Sequence, residues 1–536
     1  CGPAGLPDWA AMATEPPVDV LTLHARAQPG KLAVVEDRPG GPSVRWTFAE
    51  LEDRANSLAA VLSGLGAAPG TAVAWCGQNS PAVVAMVHAA RKVGLTAVPL
   101  NYRLSPSEAA YVVDNSDAAI VYADAEMADL LAAIAPEAPQ VRHVVLYDIP
   151  AGAAAPAGMS DGDALLAGAG PAPARTPPEG GSATMIFTSG TTGRPKGAFR
   201  PRLGDPAQIA AMLAHVGYRP EDVYVTTGPL YHSGPGGFMG IAHLLGNTVV
   251  LQRRFDPEDW LRLVDRHRVT TTFAAPAPVR LVCQLPAGVK ARYDRSSMRI
   301  MVANAAPWSF ALKQAYLADF PPDSLWEVYG STELGVDTAL APADQLRKPG
   351  SCGLPLPGVD VKLIDADGKE VDGPGVPGEL YVRSASSFST YHKAEDKYEA
   401  DRRGEFHTVG DIAYRDEEGY LYICDRKADM VITGGMNVYP AEVEAALDLH
   451  PDVADVAVFG IPSDEWGEAV HAVVVPRPGS GLAAGDVVAH ARAHLASYKV
   501  PRSVTFAGEL PRTGSGKLLK RVLRQPWWEG RERQVS

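Results

Sequence analysis

Short apolar runs separated by helix-length amphipathic stretches constrain this chain more than any other feature. Ala72 to Trp75, Ala97 to Leu100 and Ala118 to Tyr122 are too short for helices and apolar enough to be strands covered on both faces. Helical patterns such as Pro106 to Asp114 lie between them. Upstream, Thr47 followed by Glu50 is a capping-box pattern, and Phe48, Leu51, Ala55, Leu58, Leu62 and Leu65 then recur at helical spacing. This alternation predicts an α/β fold with layered, largely parallel sheets.

At 536 residues the chain is too long for one core. The stretch Ala151 to Gly181 is rich in Ala, Gly and Pro and reads as a surface connection. Its Gly158-Met159-Ser160-Asp161-Gly162 has the form of a nucleophile elbow, which needs a strand before it and a helix after it. The loop offers neither, so the match is read as coincidence. A second break falls at Asp425 and Arg426, a helix is expected from Pro440, and strands from Val453 to Phe459 and Ala469 to Val475. The predicted layout is a large N-terminal domain over 1–425, a hinge at 426–429 and a small α+β domain over 430–536.

Formal charge is −13, from 49 basic and 62 acidic side chains, and no basic cluster marks a nucleic-acid face. An acidic protein that binds anions must supply positive potential locally. Five scattered cysteines without a C-x-x-C pair argue against a disulfide framework or zinc cluster and fit a reducing cytoplasm. A lipid-modified Cys1 is a competing reading of the first residue. No apolar run is long enough to span a bilayer and no signal-peptide pattern is seen, which leaves peripheral membrane contact open.

The most informative stretch is Ile186-Phe187-Thr188-Ser189-Gly190-Thr191-Thr192-Gly193-Arg194-Pro195-Lys196-Gly197. An apolar strand runs into a loop of hydroxyls and glycines, then a cation. Glycines let backbone N–H groups turn toward phosphate oxygens, hydroxyls add donors and Lys196 adds charge. Lys196 is followed by Gly197, not by Ser or Thr, so this is not a Walker A loop and a P-loop kinase is disfavoured.

The full string resembles the adenylate-forming superfamily of acyl-CoA synthetases, luciferases and non-ribosomal adenylation domains. The resemblance continues in order through Pro229-Leu230-Tyr231-His232, Asn304-Ala305-Ala306-Pro307, Tyr329-Gly330-Ser331-Thr332-Glu333, Gly410-Asp411, Asp425-Arg426, Gly434-Gly435 and Pro511 to Lys517. It implies that ATP and a carboxylic acid form an acyl-adenylate with release of pyrophosphate, and that the CoA thiol then displaces AMP. The first step brings two anions together, so positioning and electrostatic stabilisation should dominate.

By that resemblance the phosphate loop from Thr188 to Gly193 holds the triphosphate, and Lys196 supplies charge beside it. Thr188 and Glu333 help hold Mg²⁺, a hard cation that prefers oxygen ligands. Lys517 contacts the carboxylate and the α-phosphate during adenylation. Asp411 accepts from the ribose hydroxyls with Arg426 nearby, and Tyr329 lies against adenine with Asn304 to Ala306 on the other face. Gly330, Ser331 and Thr332 complete the nucleotide site, His232 gates the acyl channel, and Gly434-Gly435 lets the CoA arm approach the backbone. Against these stand bland readings: a solvated Glu333, an exposed Lys517, a structural His232, a simple turn at Gly434.

Two positions depart from the family pattern. Ala428 occupies the hinge position where Asp or Lys is usual, which puts the pivot residue in doubt. Asn304 replaces a glycine and, tolerating left-handed backbone, is expected to keep the turn. The acyl pocket is expected along Tyr231 to Ile241, Met301 to Trp308 and the stretch after Glu333. There Gly234, Gly236, Gly237 and Gly240 leave space, while Phe238, Met239 and Trp308 supply apolar surface. A medium- or long-chain fatty acid or a bulky ring-bearing acid is favoured over acetate. Competing readings are an enzyme that loads a carrier protein, a luciferase-like oxygenase, and a catalytically silent nucleotide-binding relative. The sequence leaves the acid and the oligomeric state open.

Overall fold

The computed structural model describes residues 19–169, 172–173, 175, 177–178, 181–188, 194–201, 204–306, 308–512 and 518–529. Ser189, Gly190, Thr191, Thr192, Gly193, Pro307 and Lys517 lie outside the described residues.

Strands and helices alternate over the first part of the chain because each helix is punctuated by its own sequence. The helix Phe48–Gly64 opens with the reciprocal Thr47–Glu50 capping box. The helix Pro81–Val93 is capped by Ser80, carries Pro at its first position and ends at Gly94 with φ +78°. Ala72–Cys76 and Thr96–Leu100 pair in parallel on either side of that helix, and Ile120–Asp124 pairs in parallel with the first of them. The third strand begins two residues later than its apolar run, after Asp117 takes φ +56° to turn the chain.

An eight-stranded sheet grows outward from these strands through Ala183–Thr188 and its antiparallel partner Lys196–Arg200 to the edge strand Thr390–His392. A nine-stranded sheet contains the parallel run Thr248–Leu251, Val223–Thr226, Thr271–Ala274, Ile300–Ala303 and Leu325–Ser331. Buried side chains of Phe48–Gly64 and Pro81–Val93 fill the space between the two sheets. A six-stranded antiparallel sheet, from Asp360–Ile364 to Leu421–Arg426, was not foreseen from the alternation upstream. A smaller five-stranded sheet of Val431–Thr433, Met436–Val438, Val453–Ser463, Gly467–Pro476 and Ser503–Phe506 has its own apolar core. The fold is thus a large N-terminal α/β domain followed by a smaller β-rich C-terminal one. The helix expected at Pro440 runs Pro440–Asp448.

The segment 151–181 corrects the expectation of a plain loop. Ser160–Asp161 adds a short parallel strand beside His143–Tyr147, and the helix Gly162–Ala169 follows. A helix therefore does follow the nucleophile-elbow pattern, but the short strand lies inside it and none leads directly into it. Ser160 lies within the strand rather than on a sharp turn, and no histidine bonds to it among the described residues.

Candidate active site

Thr188, Ala303 and Ser331 all stand at the carboxyl ends of strands, and parallel α/β sheets collect ligands at that edge. A cleft of about 3220 Å³ opens there and extends to the C-terminal domain.

Around the phosphate loop, register places Thr188 opposite Lys196, so both sit at the stem of the hairpin. Thr188 Oγ1 donates to Glu333 Oε1 at 2.8 Å. Tyr391 Oη donates to the same oxygen at 3.1 Å, and Lys196 Nζ lies 5.9 Å from the centre of the Tyr391 ring. Three expected residues thus meet around one that sequence reasoning missed. Tyr391 belongs to a three-residue strand beside Lys196–Arg200 and carries no local motif. Burial, then the Glu333 charge, raises its phenol pKa and keeps it a donor. The oxygen pair Thr188 and Glu333 suits Mg²⁺, which takes few protein ligands and leans on substrate phosphates. No cluster of three or more His, Cys, Asp or Glu suited to a metal occurs among the described residues.

Tyr329 Oη donates to Asp411 Oδ2 at 2.6 Å, and Arg426 Nε lies 3.2 Å from Asp411 Oδ1. These three residues come from two sheets and from motifs some eighty residues apart in sequence. Behind them is Asp337, also missed, with both carboxylate oxygens buried and unpartnered among the described residues. Burial pushes its carboxyl well above the usual range; Arg200 opposes this and Asp411 adds to it. Gly330 is required sterically, since a Cβ there would stand 2.0 Å from the Gly335 carbonyl oxygen. Ser331 Oγ accepts from Leu334 N at 3.0 Å, and Thr332 Oγ1 bonds Ser233 Oγ at 2.8 Å. Left-handed backbone falls on Ala305, φ +71°, not on Asn304. Asn304 instead braces the turn, its Nδ2 donating to the Val328 carbonyl at 2.6 Å and its Oδ1 accepting from Ala305 N. Ala306 lines the cleft beside them.

His232 precedes the helix Ser233–Leu244, packed against Tyr231 with ring centres 4.4 Å apart. Its Nε2 is buried without a partner among the described residues. Burial, helped by Arg103, lowers its pKa to about 4, so the ring is neutral at physiological pH. The glycines of this helix differ from the expectation. A Cβ on Gly234 would meet Phe273 at 2.3 Å, and one on Gly236 would meet the Leu230 carbonyl oxygen at 2.5 Å. Gly237 faces open space, and Gly240 lies against Arg91. Phe238, Met239 and Trp308 are buried beside the cleft, Phe238 stacked on Phe273 at 5.1 Å.

Where the two domains join, Asp425 Oδ2 accepts from Ala441 N at 2.8 Å, and Lys520 pairs with Glu444 at 2.9 Å. Lys427 N donates to the Gly410 carbonyl at 2.7 Å, and Asp429 pairs with Arg524 at 3.2 Å on either side of Ala428. Gly434 and Gly435, at φ +56° and +80°, form the two-residue turn of the hairpin Val431–Val438. They stand apart from the residues that line the cleft. Arg280 Nη1 donates to the Ala454 carbonyl at 3.1 Å and so joins the large domain to the small one.

Comparison with known proteins identifies the family. The family described as AMP-binding enzyme matches residues 21–392, and its C-terminal domain matches residues 442–517. An indoleacetate–CoA ligase of Aromatoleum aromaticum is 32% identical over 510 residues, covering 94% of this chain and 97% of that protein. A feruloyl-CoA synthase of Amycolatopsis is 35% identical over 507 residues, covering 94% and 97%. Among solved structures, ATP-bound MatB from Rhodopseudomonas palustris superposes with a TM-score of 0.82 at 29% identity, covering 95% and 99%. The chain belongs to the AMP-binding enzyme family, within the adenylate-forming superfamily, and is an acid–thiol ligase of the acyl-CoA synthetase type.

Proposed function

We propose that the protein activates a hydrophobic carboxylic acid, extended or ring-bearing, as its acyl-adenylate and passes the acyl group to CoA. The observation that carries this reading is one cleft that joins the Thr188–Glu333 pair, the Tyr329–Asp411–Arg426 chain and the open wall at Gly237. The phosphate loop, Thr188 to Gly193, and Lys196 bind the triphosphate. Asp411 and Arg426 hold the ribose, while Tyr329 to Thr332 and the Asn304 to Ala306 turn enclose the base. Thr188 and Glu333 would hold Mg²⁺, which supplies charge neutralisation on the phosphates when bound.

In the first half-reaction a carboxylate oxygen forms a bond to the α-phosphorus, and the bond to pyrophosphate breaks. Lys517 neutralises charge at that centre. The small domain, turning on 426–429, then brings the Gly434-Gly435 turn toward the CoA arm, and His232 clears the channel. The thiolate attacks the acyl carbon and AMP leaves with the former carboxylate oxygen. His232, neutral by burial, serves as a gate rather than as a base.

The test is AMP and acyl-CoA formation across a panel of carboxylic acids with ATP, Mg²⁺ and CoA. Thioester formation with one acid class upholds the reading. Adenylate without thioester points to a carrier-protein acceptor, and absence of ATP turnover with every acid overturns it.

A further inference from the structure

The cleft continues past Gly240 to a cation that the adenylation chemistry does not use. Arg91 lies in the last turn of the helix Pro81–Val93, four residues after Val87, so both side chains share one helix face. Both line the cleft, together with Ile209 and Met212 of the helix Pro206–Val216 and Leu244 of the helix Ser233–Leu244. A Cβ built on Gly240 would stand 3.4 Å from Arg91 Nη2, so the guanidinium rests on bare helix backbone. That point is eight residues beyond His232, about 12 Å along the helix axis.

Among the described residues no carboxylate bonds Arg91 directly, and Asp19 acts on it only through space. Lys92, fully buried next to it, takes both nearby carboxylates, Asp19 at 3.1 Å and Glu52 at 2.8 Å. Among the described residues Arg91 makes no side-chain hydrogen bond or ion pair. Guanidinium presents up to five donors in a fixed fork and stays charged. Enclosing such a group without acceptors is costly, and a ligand that brings oxygen atoms removes the cost. An alkyl terminus would desolvate the cation and return nothing.

We infer that Arg91 determines specificity at the far end of the acyl pocket, and that the substrate carries there an oxygen acceptor, best an anionic one. The acceptor stands about 12 Å from the reacting carboxyl, the distance from His232 along the helix. This deepens the proposed function and rests on it.

The experiment compares decanedioic with decanoic acid, and undecanedioic with undecanoic acid, by pyrophosphate release from the native protein, Arg91→Lys and Arg91→Met. The native protein is expected to favour the acceptor-bearing member of a pair about 10- to 100-fold in kcat/KM, the range of a hydrogen bond to a charged group. Arg91→Met is expected to collapse that ratio to within about threefold, and Arg91→Lys to keep part of it. Circular dichroism checks that the variants fold; should Arg91→Met fail to fold, the native ratio and Arg91→Lys decide. A native preference for the plain acid, or a ratio untouched in a folded variant, overturns the inference while pyrophosphate release still upholds the ligase. Absence of turnover with any acid overturns both.

Discussion

Tyr329 and Asp411, from different sheets, meet through a 2.6 Å hydrogen bond that leaves the second carboxylate oxygen of Asp411 to Arg426 at 3.2 Å. The carboxylate is thereby aimed before any nucleotide arrives, the preorganisation that lowers the cost of binding. Asp411→Asn is expected to raise KM for ATP about 10- to 100-fold, since the amide returns one acceptor where two were used. Tyr329→Phe should have the smaller effect because Arg426 still faces the carboxylate. An unchanged KM in Asp411→Asn would remove the ribose role.

Two glycines before Phe238 make opposite predictions. Gly237→Phe fills open space and should cut kcat/KM at least about tenfold for decanoic acid, and less for butanoic acid. Gly234→Ala instead drives a methyl into Phe273 and should lower stability by about 1–3 kcal/mol, seen as a lower Tm. Equal losses on both acids with Gly237→Phe would mean that the pocket lies elsewhere.

Two half-reactions should separate under two substitutions. Lys517→Ala is expected to slow pyrophosphate release at least about 100-fold yet spare thioester formation from supplied acyl-adenylate. Ala428→Pro fixes a backbone angle at the proposed hinge and should do the reverse. If each variant lost both half-reactions equally, neither role would stand.

A buried histidine pair predicts acid sensitivity. His243 Nε2 faces the Ala33 carbonyl at 3.1 Å, which only accepts, so His243 Nδ1 must accept from His88 Nε2 at 2.9 Å. This arrangement is the one two neutral rings make, and His88 Nδ1 is buried without a partner among the described residues. Burial lowers His243 from 6.5 to about 4 and, with His243 beside it, takes His88 well below its ordinary value. The unfolded chain takes up these protons first as pH falls. Stability is thus full above about pH 6.5 and declines toward pH 4, by roughly 3 kcal/mol for one such site. Denaturant midpoints at pH 7, 5 and 4 should show this slope, and the double variant His88→Leu, His243→Gln should flatten it. His232 and His471, also held near 4 by burial, keep the remainder. A slope indifferent to the double variant would refute the account.

The elements legible in the sequence are those written locally. The Thr47–Glu50 box, the Ser80-Pro81 helix start and the three apolar strands follow from neighbours in the chain. Thr188, Glu333, Tyr329 and Asp411 were readable because each lies in a string with its own chemistry, and the fold brings them to one cleft. Tyr391 and Asp337 were not, because each acts through residues distant in sequence. The glycine-rich helix misled for the same reason. A missing side chain reads as space, yet Phe273 and the Leu230 carbonyl fill the places beside Gly234 and Gly236. The turn expected at Asn304 is kept, but its left-handed angle falls on Ala305 while the Asn304 side chain braces it.

The helix Ser233–Leu244 has a consequence for how such an enzyme changes diet over generations. Gly234 is locked by an aromatic ring and Gly236 by a carbonyl oxygen, so point mutations there damage the fold before they reshape the pocket. Val87, Arg91, Ile209 and Met212 on the facing helices carry no such lock in the same cleft. Inherited shifts in acid preference should therefore accumulate on the facing helices, while Gly234 and Gly236 pass unchanged from ancestor to descendant.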